Sequence, residues 1–233
     1  MTRRFRVGWA LSIGLLGLGM ALRSQGALAA YTFQSGYAST DTDLHSTAST
    51  FSSSGLTVSS ADPSFDTSDT TSVRATAYSM ASTASTDYFS FTVTANSGYI
   101  LNLSGTGALT FQFARGGSFS GNQFKWVVRS SLDSFSANLA SGATTTSRAW
   151  NTASVNLGTA FDSQSSVTFR IYVFDGGASG NSVYGYLDNV TLNGVSAVPE
   201  PANVALAIFG IGVVGTEAIR RLRASRETGM TRV

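Results

Sequence analysis

SVTFRIYVF, Ser166 to Phe174, alternates without a fault: Val167, Phe169, Ile171 and Val173 fall on one side, Thr168, Arg170 and Tyr172 on the other. Side chains that change face at every residue belong to a β-strand with one apolar face. The same period recurs on both sides of this stretch. Upstream lie YFSFTVT (88–94) with Phe89, Phe91 and Val93, YILNLSG (99–105) with Leu101 and Leu103, and LTFQF (109–113) with Leu109, Phe111 and Phe113. QFKWVVR (123–129) sets Phe124, Trp126 and Val128 against Lys125, Val127 and Arg129, and downstream YGYLDNVTL (184–192) carries Val190 and Leu192. Turn-forming residues bound each run, as in Gly116-Gly117 and DGGASGNS from Asp175 to Ser182. No helical period survives between residues 31 and 197. Many short alternating strands predict an all-β chain folded as a jelly-roll-like β-sandwich. The core of that sandwich is expected over 88–197. Residues 30–87 form a Ser/Thr-rich lead that adds edge strands, around Leu56 to Ser59 and Val73 to Met80.

Charge narrows the function. The chain of 233 residues carries a formal +2, yet its arginines crowd the ends, with four before residue 30 and five after residue 219. Between Ala30 and Ala197 stand six cationic side chains against ten aspartates, a balance of −4. A domain of that sign has no broad basic surface for phosphates, so a nucleic-acid partner is not expected. There is no cysteine, which excludes a disulfide framework and thiolate metal sites.

The two ends address membranes. Arg3, Arg4 and Arg6, the apolar run Val7 to Leu22, and the small residues of Ala27-Leu28-Ala29 make the three parts of a secretory signal. Signal peptidase is expected to use Ala27 and Ala29 and to cut after Ala29, so that 1–29 is a signal peptide. Near the other end, 202–219 is apolar apart from Asn203, Thr216 and Glu217. As a transmembrane helix it would reach about 27 Å, close to the thickness of a bilayer core. Arg220, Arg221 and Arg223 follow it, where the positive-inside rule places a cytoplasmic flank, and 224–233 is then a cytoplasmic tail. Val198, Pro199, Glu200 and Pro201 are left just outside the membrane, and the two prolines hold that stretch extended, as a protease cleft requires.

Pro199-Glu200-Pro201, the apolar span and the Arg-Arg cluster together resemble the PEP-CTERM sorting signal of Gram-negative bacteria, over 198–223. The resemblance implies recognition and removal by exosortase, a membrane cysteine transpeptidase. FTVTANSGYILNLSG, VVRSSLDSFSANLA, SVTFRIYVFD and YGYLDNVTLNGV, in that order over 88–195, resemble a mature domain that recurs upstream of such signals. This second resemblance implies a jelly-roll-like sandwich outside the cell and carries no settled activity.

An enzyme would have to draw its acids, bases and nucleophiles from a segment without glutamate or cysteine, with one histidine (His45) and one lysine (Lys125). A glycosidase pair would be aspartates alone. A serine hydrolase would depend on His45, and GGSFSG (116–121) has Phe119 where a nucleophile elbow needs serine. The chain is therefore expected not to be an enzyme, and to use no cofactor. A structural calcium is the one open metal: Asp41 and Asp43, Asp62, Asp66 and Asp69, and above all Asp188 offer hard oxygens, although turn chemistry accounts for the same residues. Sugar binding by a sandwich relies on rings that stack on pyranose faces. Trp126, Trp150, Tyr172, Tyr184 and Tyr186 are the rings at hand; Trp126 alternates in phase with the core, and Trp150 is the better candidate for display.

The expected function is a non-catalytic structural role at the cell surface or in the extracellular matrix, reached from a precursor anchored in the inner membrane. The expected partners are signal peptidase, exosortase and, before processing, the membrane. The alternative is a carbohydrate-binding module that engages extracellular polysaccharide.

Overall fold

The computed structural model describes residues 26–61, 71–76, 86–116, 123–144, 148–175 and 184–198. Pro199, Glu200 and Pro201, the span 202–219, Arg220, Arg221 and Arg223, the tail 224–233, and Asp62, Asp66 and Asp69 lie outside the described residues. No helix among the described residues is long and apolar enough to cross a membrane.

The alternating runs become strands in two antiparallel sheets. The first sheet holds β1 (Gly26–Tyr31), β4 (Thr57–Ala61), β5 (Ser72–Thr76), β7 (Ile100–Asn102), β8 (Gly105–Arg115), β11 (Asn151–Leu157) and β13 (Gly185–Ala197). Its path is β11-β8-β13-β5-β4, with β1 and β7 also paired to the long β13. The second holds β2 (Ser46–Ala48), β3 (Ser52–Ser54), β6 (Tyr88–Ala95), β9 (Lys125–Ser130), β10 (Ala140–Ala143) and β12 (Ser166–Phe174), in the path β10-β9-β12-β6-β2 with β3 beside β6. The remaining regular structure among the described residues is two single-turn 3₁₀ segments, Ser131–Asp133 and Thr159–Phe161.

The inner faces are the ones the alternation selects. Phe89, Phe91, Val93, Trp126, Val128, Val167, Phe169, Ile171 and Val173 of the second sheet meet Leu109, Phe111, Val155, Leu187, Val190 and Leu192 of the first. Aromatic rings dominate the contact: Phe91 lies 5.6 Å from Phe169 and 5.4 Å from Tyr31, and Trp126 stands edge-on to Phe111 at 4.9 Å. Offset and edge-on rings at these separations add to what their burial alone supplies. Trp126 is thus a core residue, as its phase predicts.

The Ser/Thr-rich lead contributes more than edges. β2 and β4 do close the ends of the two sheets, but Tyr31, Phe33 and Phe51 insert into the core. Tyr31 is wholly buried and donates its Oη to the Ser49 carbonyl at 2.7 Å; burial drives its pKa upward, the nearby Asp41 carboxylate adds to the rise, and the Ser49 side chain partly opposes it. The boundary expected between residues 29 and 30 falls inside β1, where Leu28 and Ala29 are buried and Gly26 pairs with Gly194.

A bulge sets the phase of β13. Its register with β8 shifts between Asp188 and Thr191, and Asn189 takes a left-handed φ of 49°. Leu187 and Val190, three residues apart, therefore both face inward.

Candidate functional site

The outer face of the second sheet is built by the residues that alternate with its core. β6 gives Tyr88, Ser90 and Thr92; β12 gives Thr168, Arg170, Tyr172 and Phe174; β9 gives Lys125, Val127 and Arg129. Strand register then decides which of them meet. Tyr172 is opposite Tyr88 on one side and Val127 on the other, while Arg170 is opposite Ser90 and Arg129. A pair of rings on β6 and β12 and a pair of guanidinium groups on β12 and β9 so run side by side.

The arginines are held over aromatic faces. The Arg170 guanidinium carbon lies 4.3 Å from the centre of the Tyr88 ring and 3.7 Å from that of Phe135, and Nη1 donates to Tyr172 Oη at 3.3 Å. Arg129 sits 5.1 Å over the Tyr172 ring, donates Nε to Asn138 Oδ1 at 2.8 Å, and donates Nη1 to the Phe135 carbonyl at 3.2 Å. Tyr88 and Tyr172 are 5.3 Å apart. Such cation–π contacts fix a guanidinium without neutralising it.

Phe135 reaches this face from a loop that rises over it. After the 3₁₀ segment Ser131–Asp133, Ser134 and Phe135 both adopt left-handed backbone, with φ of 58° and 61°. Two such residues in succession without glycine are costly, and are kept only where their surroundings over-determine them. Here Phe135 N–H donates to the Ser130 carbonyl at 2.8 Å, and the Asp133 carboxylate accepts from Ala137 N–H at 2.8 Å. That bond from Ala137, with further ones from Ser136, holds the Asp133 carboxyl below its ordinary pKa. The turn is therefore fastened by an ionised side chain, and its product is a ring stacked on Arg170.

A second aromatic group lies on the first sheet. Trp150 is half-buried and meets Tyr186 edge-on at 6.4 Å, Tyr184 meets Tyr186 at 5.6 Å, and Arg74 lies 5.3 Å over Tyr184. Gly116 lets the Tyr184 ring lie directly against the backbone, where any Cβ would collide with it. Burial raises the pKa of Tyr186, Tyr184 adds to that rise and Arg74 works against it. Trp150, singled out by sequence, thus belongs to a ring cluster in which Tyr186 is only 5% exposed, as Tyr172 on the second sheet is only 2% exposed.

Asp188, the strand aspartate considered for calcium, is fully buried and serves the bulge. Its Oδ1 accepts from Asn189 N–H at 2.7 Å, and Asn189 Nδ2 reaches Gln112 Oε1 at 3.0 Å. Asp43 is likewise occupied, accepting from Ser196 Oγ at 3.0 Å and Ser46 Oγ at 2.7 Å. Among the described residues, no three His, Cys, Asp or Glu side chains gather as metal ligands. His45 is exposed, with its ring stacked on Tyr99 at 4.1 Å.

Sequence reading placed Arg170 with Tyr172, and Lys125 with Arg129, away from the core. It did not bring Arg129 to Arg170, because the pairing of strands 41 residues apart is not visible in either strand alone. The alternation points to neither Tyr88 nor Phe135 as a site residue; the one signal for Phe135 is its place between two serines in a turn-rich loop after a strong strand.

No protein-family model matches the chain, and no curated protein matches it. Among solved structures, the chain is similar to the CBM22-1 xylan-binding domain from Paenibacillus barcinonensis Xyn10C, at 15% identity and a TM-score of 0.38, over 76% of this chain and 99% of that one. It is similar to a CBM4 structure at 18% identity and a TM-score of 0.33, over 61% of this chain and 79% of that one. A third likeness is to the family 11 carbohydrate-binding module from Clostridium thermocellum in complex with a mixed-linked tetrasaccharide, at 12% identity and a TM-score of 0.29, over 71% and 96% of the two chains.

Proposed function

We propose that this chain is an exported, non-catalytic β-sandwich protein that binds polysaccharide outside the cell through the outer face of its second sheet. The observation that carries this reading is the Tyr88–Arg170–Phe135 stack beside Tyr172 and Arg129. Glycan recognition needs apolar plates against which sugar rings lie and fixed polar donors for their oxygens. This face supplies both on a rigid sheet, with Tyr88 and Phe135 half-buried and Tyr172 buried, so little ordering is required when a chain of sugars settles on it.

Delivery belongs to the two ends. Residues 1–29 direct export, and signal peptidase removes them. The span 202–219 then retains the precursor in the inner membrane, Arg220, Arg221 and Arg223 hold its cytoplasmic end, and Val198-Pro199-Glu200-Pro201 presents the exosortase site. The composition supports this order, with arginine clusters at both ends of a chain whose middle carries −4.

The test is a retention assay of the full chain, kept in nonionic detergent, against a panel of soluble extracellular polysaccharides. Retention by at least one of them is expected, and failure across the whole panel contradicts the reading. For sorting, replacing Pro199, Glu200 and Pro201 with alanine should leave a membrane-retained precursor.

A further inference from the structure

Resting on that polysaccharide-binding reading, we infer that the glycan this face selects is acidic, with carboxylates as the groups it grips. The argument begins with a local conflict. Arg129 and Arg170 are directly opposite on adjacent strands, a separation of about 5 Å between chains. Like charges so placed destabilise a sheet pair. The usual relief is an interleaved carboxylate, and among the described residues no Asp or Glu forms an ion pair with either arginine. Of the three aspartates nearest in sequence to this face, Asp133 accepts from Ala137 N–H, Asp87 accepts from Thr86 Oγ1 at 3.0 Å, and Asp175, next to Phe174, is buried.

Three of the six cationic side chains in 30–197 stand on this one face, Lys125 being opposite Phe174 at its far end. A domain of net −4 therefore puts half of its positive charge on this surface, Arg74, Arg115 and Arg148 standing elsewhere. The guanidinium groups are also pre-oriented. Among the described residues, Arg170 commits one nitrogen, Nη1, and Arg129 commits Nε and Nη1. Arg170 keeps Nε and Nη2 side by side for a carboxylate, the forked geometry that arginine offers and lysine does not. Tyr88 and Phe135 flank that fork, so a sugar ring bearing the carboxylate has an apolar surface beside it. A polymer with one carboxylate per sugar matches a face whose charges are spaced along and across strands, and Lys125 extends the match by about 13 Å along β9.

The experiment uses the full chain in nonionic detergent and affinity electrophoresis through polygalacturonate, alginate or hyaluronate, each paired with its carboxyl-reduced counterpart. Retardation by an acidic polymer is expected to weaken about tenfold on carboxyl reduction, because the charge-assisted contacts are lost. It should also weaken roughly seven- to twentyfold between about 50 and 200 mM NaCl, as for a polyanion held at two or three points. Arg129→Gln with Arg170→Gln should reproduce the loss with an unchanged near-ultraviolet circular dichroism spectrum, and Arg170→Lys should recover it only in part. Equal retardation by a polymer and its reduced form overturns the acid preference while leaving polysaccharide binding in place. Failure of every polymer, acidic or reduced, overturns both. Binding of single-stranded poly-dT as tightly as the best acidic glycan also overturns the inference, since charge without sugar would then suffice.

Discussion

At the scale of the residue, Phe135 carries most of what is unusual here. A phenylalanine at φ 61° following a serine at φ 58° is not a conformation that local preference would choose. What it yields is a ring 3.7 Å from the Arg170 guanidinium, which also lies 4.3 Å from the Tyr88 ring. Phe135→Ala is therefore expected to weaken polysaccharide retention by about fivefold or more, the loss of one stacking contact together with the hold on Arg170. It should change the melting temperature by no more than a few degrees, because the ring is outside the core. Undiminished retention would show that the Phe135–Arg170 stack does not form part of the binding surface. Little of this was legible in advance. Alternation told that Arg170 and Tyr172 turn away from the core, since period two fixes which side a residue takes. It says nothing of which strand stands alongside, and nothing in Ser134-Phe135 announces a left-handed pair that would more ordinarily need glycine or asparagine.

At the scale of the element, the strands with clean alternation were the legible ones. SVTFRIYVF and YFSFTVT became β12 and β6 with the expected faces inward, because each is long enough for its apolar side to be decided by itself. β13 was half legible: Val190 and Leu192 were expected inside, and Leu187 was not, because the Asp188–Asn189 bulge breaks the count of two. β2 and β3 have three residues each and too little pattern to read, yet the loops beside them bring Phe33 and Phe51 to the core. β1 is where two readings meet. Its first four residues, Gly26 to Ala29, belong in the sequence to a signal-peptidase site and in the fold to a strand paired along β13. A sandwich that begins at Ala30 loses buried Leu28 and Ala29 and most of that pairing. It should be less stable than one beginning at Gly26 by about 3 kcal/mol, the scale of deleting a buried leucine. Chemical denaturation of the two forms measures the difference, and equal midpoints would contradict the register given for β1.

At the scale of the whole molecule, the −4 of the middle and the arginines of the ends describe different jobs. The register brings the start of β1 to the end of β13: Gly26 pairs with Gly194, four residues before Val198. The described part of the chain thus begins beside the strand on which it ends. The ring and guanidinium rows lie on the outer face of the other sheet. On the proposed reading, a precursor held by its C-terminal span can present that face away from β13, the strand that leads to the span.

The most direct measurement is nuclear magnetic resonance of the protein labelled with ¹³C on aromatic rings and ¹⁵N on arginine side chains, titrated with a soluble polysaccharide that it retains. The account predicts that the signals of Tyr88, Phe135, Tyr172, Arg129 and Arg170 shift together and saturate at one concentration, while those of Trp150 and Tyr184 stay in place. Shifts confined to Trp150, Tyr184 and Tyr186 would move the binding surface to the first sheet and contradict it.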